Sequence, residues 1–594
     1  MKPPAAMPLP SRIAASAAKA ECELLAERTP EGIWVGELST SALSTATAIL
    51  ALATMERVES TPPRPQLIAR GLEWLANHQN PDGGWGDTVL SFSNISTTAL
   101  GWAAFGSGPG ADAQFAETVQ RAEAWLKEAA GGDLRERLPQ AIAERYGKDR
   151  TFSVPILMAC VLGQRFETGA EGWKRVLPLP FELAALPSSF WGAIQLPVVS
   201  YALPALIAIG QGREFHAPTS NPVTGLARRA ARKRTLKILE SLQPPNGGFL
   251  EAVPLTSFVS MSLASMRLQD NPTLQRGLQF IEASVRPDGS WPIDTNLSTW
   301  VTTLAVNGLS PGIEKADAII DWLLAQQTAG VHPYTNAAPG AWAWTPLPGG
   351  VPDADDTAGA LLALSKLEAR SPRAIHAAER GVKWLLDLQN RDGGIPTFCR
   401  GWGALPFDRS SPDITAHSLR AWAAWEPAMP AHLQKRVERA RKRAIQFLQK
   451  TQNEDGSWSP LWFGNQHSPD ESNRTYGTTR ALLGLLSAGE SSALAKGLEW
   501  LANKQNEDGS WGGGCAAMSS IEETALAVEA LAAAGGQWLS AARRGGEWLA
   551  ERVETGEWRH PAPIGFYFAK LWYFERLYPL IYTVGALNQL NAAR

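Results

Sequence analysis

KGLEWLANKQNEDGSW, residues 496–511, is the stretch whose reading decides the fold. Its apolar residues Leu498, Trp500 and Leu501 recur at helical spacing, and Asn506-Glu507-Asp508-Gly509 supplies a polar turn that accepts positive φ. The sequence beyond Trp511, SSIEETALAVEALAAAG, offers Ser519 and Ser520 as caps, Glu522 in a first turn and an Ala/Leu-rich face. The unit is helix, turn, helix.

The same unit recurs as RGLEWLANHQNPDGGW at 70–85, RGLQFIEASVRPDGSW at 276–291 and RAIQFLQKTQNEDGSW at 443–458. Worn copies end at Phe249 (SLQPPNGGF), Ile395 (RGVKWLLDLQNRDGGI) and Trp558 (RGGEWLAERVETGEW). Alternating Val/Ile/Thr runs bounded by turns do not recur, so the chain reads as all-α, its helix pairs stacked into closed toroids. Within each copy, the simplest reading is that Gln ties helix ends together and Trp packs over the turn, ahead of any ligand-binding role.

The 594 residues are enough for two helical domains. Lys+Arg 55 against Asp+Glu 58 leaves no basic field to draw nucleic acid. Cys22, Cys160, Cys399 and Cys515 are widely spaced with no CxxC or Cys/His pairing, which argues against a disulfide framework or zinc site and fits a reducing cytoplasm. The first residues lack the uninterrupted apolar run of a signal peptide, so secretion is not expected. Trp outnumbers Tyr 24 to 8, giving the chain many electron-rich faces.

One apolar run breaks the repeat pattern. LPLPFELAALPSSFWGAIQLPVVSYALPALIAIG, residues 177–210, carries Glu182 as its one charge and prolines at 178, 180, 187, 197 and 204. It is too broken to span a bilayer as one helix. It reads as a plateau dipping into one leaflet, with a buried helical hairpin as the alternative.

The stretch with the sharpest chemical meaning is Asp353-Ala354-Asp355-Asp356-Thr357, ahead of AGALLALSKL. Carboxylates this close do not all ionise readily, and a retained proton is a usable acid. A solvated helix N-terminus or a divalent-metal site are the other readings of an acidic cluster. Trp342 and Trp344 upstream and the apolar helix downstream favour an acid facing a greasy, aromatic space.

The D-x-D-D-T-A stretch together with the Gln-to-Trp repeats resembles the squalene-hopene cyclase and oxidosqualene cyclase family, within the class II terpene cyclases, from about Glu31 to Leu587. The resemblance implies two α/α barrels: 31–305, carrying the membrane-contacting segment near 177–210, and 306–594, carrying the acidic motif. Residues 1–30 are expected to pack on the second barrel. It also implies that Asp355 donates a proton to a terminal alkene, flanked by Asp353 and Asp356. His417, in SPDITAHSL, would hydrogen-bond the acid, and a charged imidazole there would stabilise the carboxylate left behind.

A carbocation walking along a folded chain needs π faces and exclusion of water. By resemblance Trp342, Trp344, Trp300, Trp462 and Tyr476 surround the chamber. The stretch IGFYFAKLWYFERLYPLIYTVGAL resembles the family's aromatic closing helix, adding Phe566, Tyr567, Phe568, Phe574 and Tyr578, although such stripes are more often core. The chain departs from the pattern at Thr45 and Thr47, where relatives carry acids, at Leu405, where they place a tyrosine, and around Tyr201, where a Trp-containing stretch has no counterpart.

The leading expectation is a proton-initiated cyclase of squalene or a similar linear isoprenoid, needing no metal or other cofactor. It would be monotopic on the cytoplasmic side of a membrane, and a homodimer is compatible with it. The alternatives are a class II cyclase of a prenyl diphosphate, a carbohydrate-cleaving α-toroid and a noncatalytic toroid.

Overall fold

The computed structural model describes residues 8–58, 64–147, 152–194, 203–333, 335–401, 403, 406–489, 492–514, 517–566 and 571–593. Helices fall into two layers because the sequence holds two kinds. Helices such as Ala42–Glu56, buried on every face from Ala42 to Met55, form inner rings, and amphipathic ones such as Pro372–Leu388 shield them.

In the first ring Ala42–Glu56, Ile95–Ser107, Ser153–Leu162, Leu203–His216 and Val253–Ser265 pack each on the next and the last on the first. In the second ring Ser298–Gly308, Ala354–Lys366, Pro412–Trp425, Arg474–Ala488, Ile521–Ala534 and Tyr578–Ala592 close likewise. This is the α/α-barrel architecture expected from the repeats.

Hydrogen bonds explain why the repeat has its composition. Gln505 donates to the carbonyls of Gly509, in its own turn, and Ala541, on the next outer helix; Gln79, Gln243, Gln327, Gln389 and Gln452 do the same in their units. Each bond contributes about 1 kcal/mol net, but a Gln buried without them would cost more. The final Trp donates its indole N–H to a carbonyl ten residues back, as Trp511 does to Leu501 and Trp458 to Leu448. Its backbone N–H goes to a Thr hydroxyl on the following inner helix, Thr524 for Trp511 and Thr478 for Trp458. The ring then lies on the glycine of the next repeat: a Cβ on Gly545 would sit 2.6 Å from Trp511, and one on Gly497 2.7 Å from Trp458.

The same bonds close both rings. Trp291 gives its backbone N–H to Thr45, its ring lies 3.1 Å from where a Gly71 Cβ would be, and Trp74 reaches back to Asp288. In the second ring the closing unit comes from the other end of the chain. Helix Leu9–Ala26 packs on Leu539–Thr555 and Tyr578–Ala592, Trp34 donates its indole N–H to Leu24, and its backbone N–H goes to Thr302.

One reading changes. The C-terminal aromatic stretch is not one helix: Ile564–Phe566 and Leu571–Tyr573 are antiparallel strands, the former also paired with Phe463–Gly464, and the helix begins only at Tyr578. Alternating aromatics favour strand here, and Pro579 sits in the first turn, where a helix tolerates it. Thr45 and Thr47 have local duties in place of acids: Thr45 donates to the Ser41 carbonyl while accepting from Trp291, and Thr47 donates to Ser44. Tyr201 and Leu405 lie outside the described residues.

Candidate active site

The acidic motif is a repeat junction turned to another use. Strand Pro352–Asp353 pairs antiparallel with Trp342–Ala343, opposing Asp353 to Trp342, and Trp342 sends its backbone N–H to Thr357 as the repeat pattern dictates. This sets Asp353 as N-cap of Ala354–Lys366, its carboxylate accepting from the Asp356 amide at 2.8 Å. The cluster is not a solvated helix turn, because Asp353 and Asp356 are only 3% and 5% exposed.

Asp355, one residue into the helix, faces the cavity and meets His417 Nδ1 through its Oδ1 at 2.6 Å. Burial pushes Asp353 up to about 7, aided by the charge of Asp355 and opposed by bonds from Asp356. Burial and then the Asp353 charge push Asp356 well above the carboxylate range. Burial holds His417 below its ordinary value, against the pull of Asp355. Burial thus works against the charged imidazole expected from the sequence, while the 2.6 Å contact is compatible with Nδ1 donating from either the neutral or the charged ring. Asp413, one turn before His417 on the same helix, is another buried carboxyl, raised to about 6 by desolvation.

The cavity, about 310 Å³, lies between the rings. Leu43, Leu100, Ile156 and Phe258 wall it from the first; Trp300, Trp344, Phe398, Trp462, Tyr573 and Tyr578 from the second. Trp344, Phe398 and Trp462 meet edge to face in sequence, with centroids 6.4 and 5.6 Å apart. Trp300 stands edge-on to His417 at 6.2 Å and donates to Tyr578, whose hydroxyl lies 3.1 Å from that of Tyr573. No Lys or Arg is among the described residues of this wall.

The structure thus brings Asp353, Asp355, Asp356, Trp300, Trp344, Trp462 and Tyr578 to one cavity, with His417 behind the acid. Trp342 is not on the wall: it is the fully buried repeat tryptophan, its indole bonded to Leu323 and its ring against Gly381. Tyr476 lies behind the wall, its ring tilted against wall residue Phe463 at 4.4 Å with Arg480 over it. Phe574 faces elsewhere, half-buried, its backbone bonded to Ser39. Phe566 is described only as backbone in its strand, and Tyr567 and Phe568 fall outside the described residues.

Sequence reasoning missed Phe398, Tyr573, Tyr146 and Asp294. A usable signal existed for the first, since Trp344, Phe398 and Trp462 each come within four residues of the last position of a repeat, Trp342, Ile395 and Trp458. Asp294 also lies on the wall, pushed far above the carboxylate range by burial and then by the charge of Glu251. Nothing in its sequence context sets it apart from an ordinary loop aspartate.

Residues 292–592 match the model of the squalene-hopene cyclase C-terminal domain, and residues 17–156 that of the N-terminal domain. The terpene cyclase-glycosyl transferase fusion protein of Humicola fuscoatra is 28% identical over 336 residues, 48% of this chain and 24% of that protein. The squalene-hopene cyclase of Bradyrhizobium diazoefficiens is 28% identical over 277 residues, 40% of this chain and 39% of that one. The chain thus spans less than half the length of these curated relatives. The ent-copalyl diphosphate synthase of Streptomyces platensis superposes over 98% of this chain and 99% of its own with a TM-score of 0.57 at 18% identity, a likeness of fold.

Proposed function

The chain belongs to the squalene-hopene cyclase family, and on that premise we propose that it is a class II terpene cyclase that protonates a linear polyprenyl hydrocarbon such as squalene. The observation that carries the reading is the Asp355–His417 contact of 2.6 Å at the wall of an aromatic cavity. Asp355 Oδ1 is held by His417, which leaves the other oxygen to carry the proton. That proton passes to the terminal alkene carbon, and the next double bond attacks the tertiary cation so formed. The positive charge then moves inward as each ring closes, until a proton is lost or water adds. Each aromatic face meeting the cation contributes about 0.5–2 kcal/mol. Asp353, raised to about 7, and Asp356, pushed well above the carboxylate range by burial, limit the build-up of negative charge that would trap Asp355's proton.

The wall favours a hydrocarbon over a prenyl diphosphate, since a diphosphate buried there would meet four aspartates and no Lys or Arg among the described residues. Apolar substrate would come from a membrane. Leu177, Leu183, Leu186, Phe190 and Ile194 of the apolar run are exposed, and helix Leu203–His216 lends Ala205 to the cavity, which supports monotopic attachment. Among the described residues no helix is long and apolar enough to cross a membrane.

The test is incubation of the detergent-solubilised protein with squalene and, in parallel, farnesyl and geranylgeranyl diphosphate, with extracts read by gas chromatography and mass detection. A cyclic C30 product that vanishes in Asp355→Asn is expected. Turnover of a diphosphate alone would transfer the reading to that substrate class, and turnover of none would return the α-toroid to a carbohydrate-active or noncatalytic role.

A further inference from the structure

The exposed apolar surface does not end with the run at 177–210. Val223 and Leu226, 76% and 64% exposed, stand in the first turns of helix Pro222–Leu242. The pieces form one surface: the turn Phe181–Ala185 packs against Pro222–Leu242 and Leu203–His216, and exposed Phe215 lies under Arg232 at 5.8 Å. Buried Arg228 binds the parts together through Glu182 at 3.2 Å and Glu214 at 2.8 Å.

Beyond Arg228 the same helix is cationic. Arg229, Arg232, Lys233, Arg234 and Lys237 are all exposed, against the lone acid Glu240. Among the described residues none of these five is held in an ion pair. At about 1.5 Å of rise per residue, Arg229 to Arg234 lie roughly 5 to 17 Å along the axis from the exposed apolar turn. An interfacial segment buries its apolar part about 5–10 Å into the boundary between headgroups and acyl chains, so bases at that offset stand level with lipid phosphates.

We propose that this surface docks end-on into an anionic leaflet, the first turn of Pro222–Leu242 entering the acyl boundary while Arg229, Arg232, Lys233 and Arg234 meet lipid phosphates. The inference rests on the membrane attachment proposed above and adds its electrostatic selectivity. The apolar turn supplies insertion and the bases supply the choice of leaflet, acting within a Debye length of the surface.

The full chain is floated with vesicles of phosphatidylcholine alone and of phosphatidylcholine with phosphatidylglycerol, at low and high salt. Anionic vesicles are expected to capture far more protein at low salt, and salt to remove the difference. Each base near the surface is worth about fivefold in partitioning, so the combined Arg229→Gln, Arg232→Gln and Lys233→Gln variant should bind anionic vesicles about a hundredfold more weakly, with neutral vesicles bound as before. Unchanged thermal melting shows that the variant is folded. Equal, salt-insensitive binding to both vesicles would overturn this inference and leave monotopic attachment standing; binding to neither would overturn both. A lipid-free dimer that Val223→Ser with Leu226→Ser dissociates would show a second copy covering the surface, and would also overturn it.

Discussion

Replacing His417 with Phe tests the acid most directly. His417 Nδ1 lies 2.6 Å from Asp355 Oδ1, a short contact on a largely buried ring behind the acid, and Nδ1 is taken as the donor. In the proposed reaction the acceptor is one oxygen of a neutral acid before proton transfer and of a carboxylate after it. A hydrogen bond to a charged acceptor contributes about 1.5–3 kcal/mol, against about 1 for a neutral pair, so most of it is realised as the proton leaves. Losing the difference, about 0.5–2 kcal/mol, should lower kcat by about twofold to about 30-fold at about 1.4 kcal/mol per decade. KM should move little, because the imidazole does not touch an apolar substrate. His417→Gln, which keeps an N–H donor, should recover part of the loss. The assay is steady-state turnover of squalene at several concentrations. An unchanged kcat, or a loss confined to KM, would refute the reasoning.

The same contacts have other measurable consequences. Trp344→Leu should slow cyclisation about 2- to 30-fold through loss of one cation-π face, and should raise the share of products released after few ring closures, read by mass spectrometry. Gly497→Ala would place a methyl 2.7 Å from the rigid Trp458 ring and should cost about 1–3 kcal/mol of overpacking, read as a lower midpoint of thermal unfolding. Stability should rise as pH falls from about 8 to about 6.5. Asp353 and Glu575, raised to about 7, and Glu522, raised to about 8, keep protons in the fold that their unfolded counterparts have already lost. Below about 6.5, His216 and His417, held low by burial, act in the opposite direction, so the melting curve should flatten there.

Much of this was legible in the sequence because the repeat is written in residues whose duties are local. Gln, Asp-Gly and Trp each satisfy bonds within a few residues or on the adjoining helix, so their spacing survives in the chain. The acid was legible for a similar reason: Asp353, Asp355 and Asp356 owe their approach to one helix start. His417 was reached through its resemblance context, and its contact with Asp355 spans 62 residues. The features that escaped depend on tertiary placement. Trp342 and Trp344 are two residues apart, yet one is in the core and the other on the cavity, which composition cannot distinguish. Phe398 and Tyr573 gain their role from neighbours across the rings. The strand Ile564–Phe566 took its conformation from pairing with Leu571–Tyr573 and with Phe463–Gly464, the latter about a hundred residues away in sequence, overriding the helical reading.

The seat of the N-terminal helix carries a consequence for how the molecule is made. Leu9–Ala26 is synthesised more than five hundred residues ahead of its partners Leu539–Thr555 and Tyr578–Ala592, and its Arg12 pairs with Glu554, 542 positions later. Ile13, Ala17, Ala20 and Leu24, buried in the finished structure, have no seat while the ribosome reads the intervening sequence. The first ring's inner helices, from Ala42–Glu56 to Val253–Ser265, are consecutive and free to condense during translation, whereas the second ring must wait for Leu9–Ala26 to meet helices made after the first ring is complete. A ribosome stalled late would therefore leave an apolar helix searching for a site that does not yet exist, a natural point for chaperone capture or for exchange of that helix between nascent neighbours.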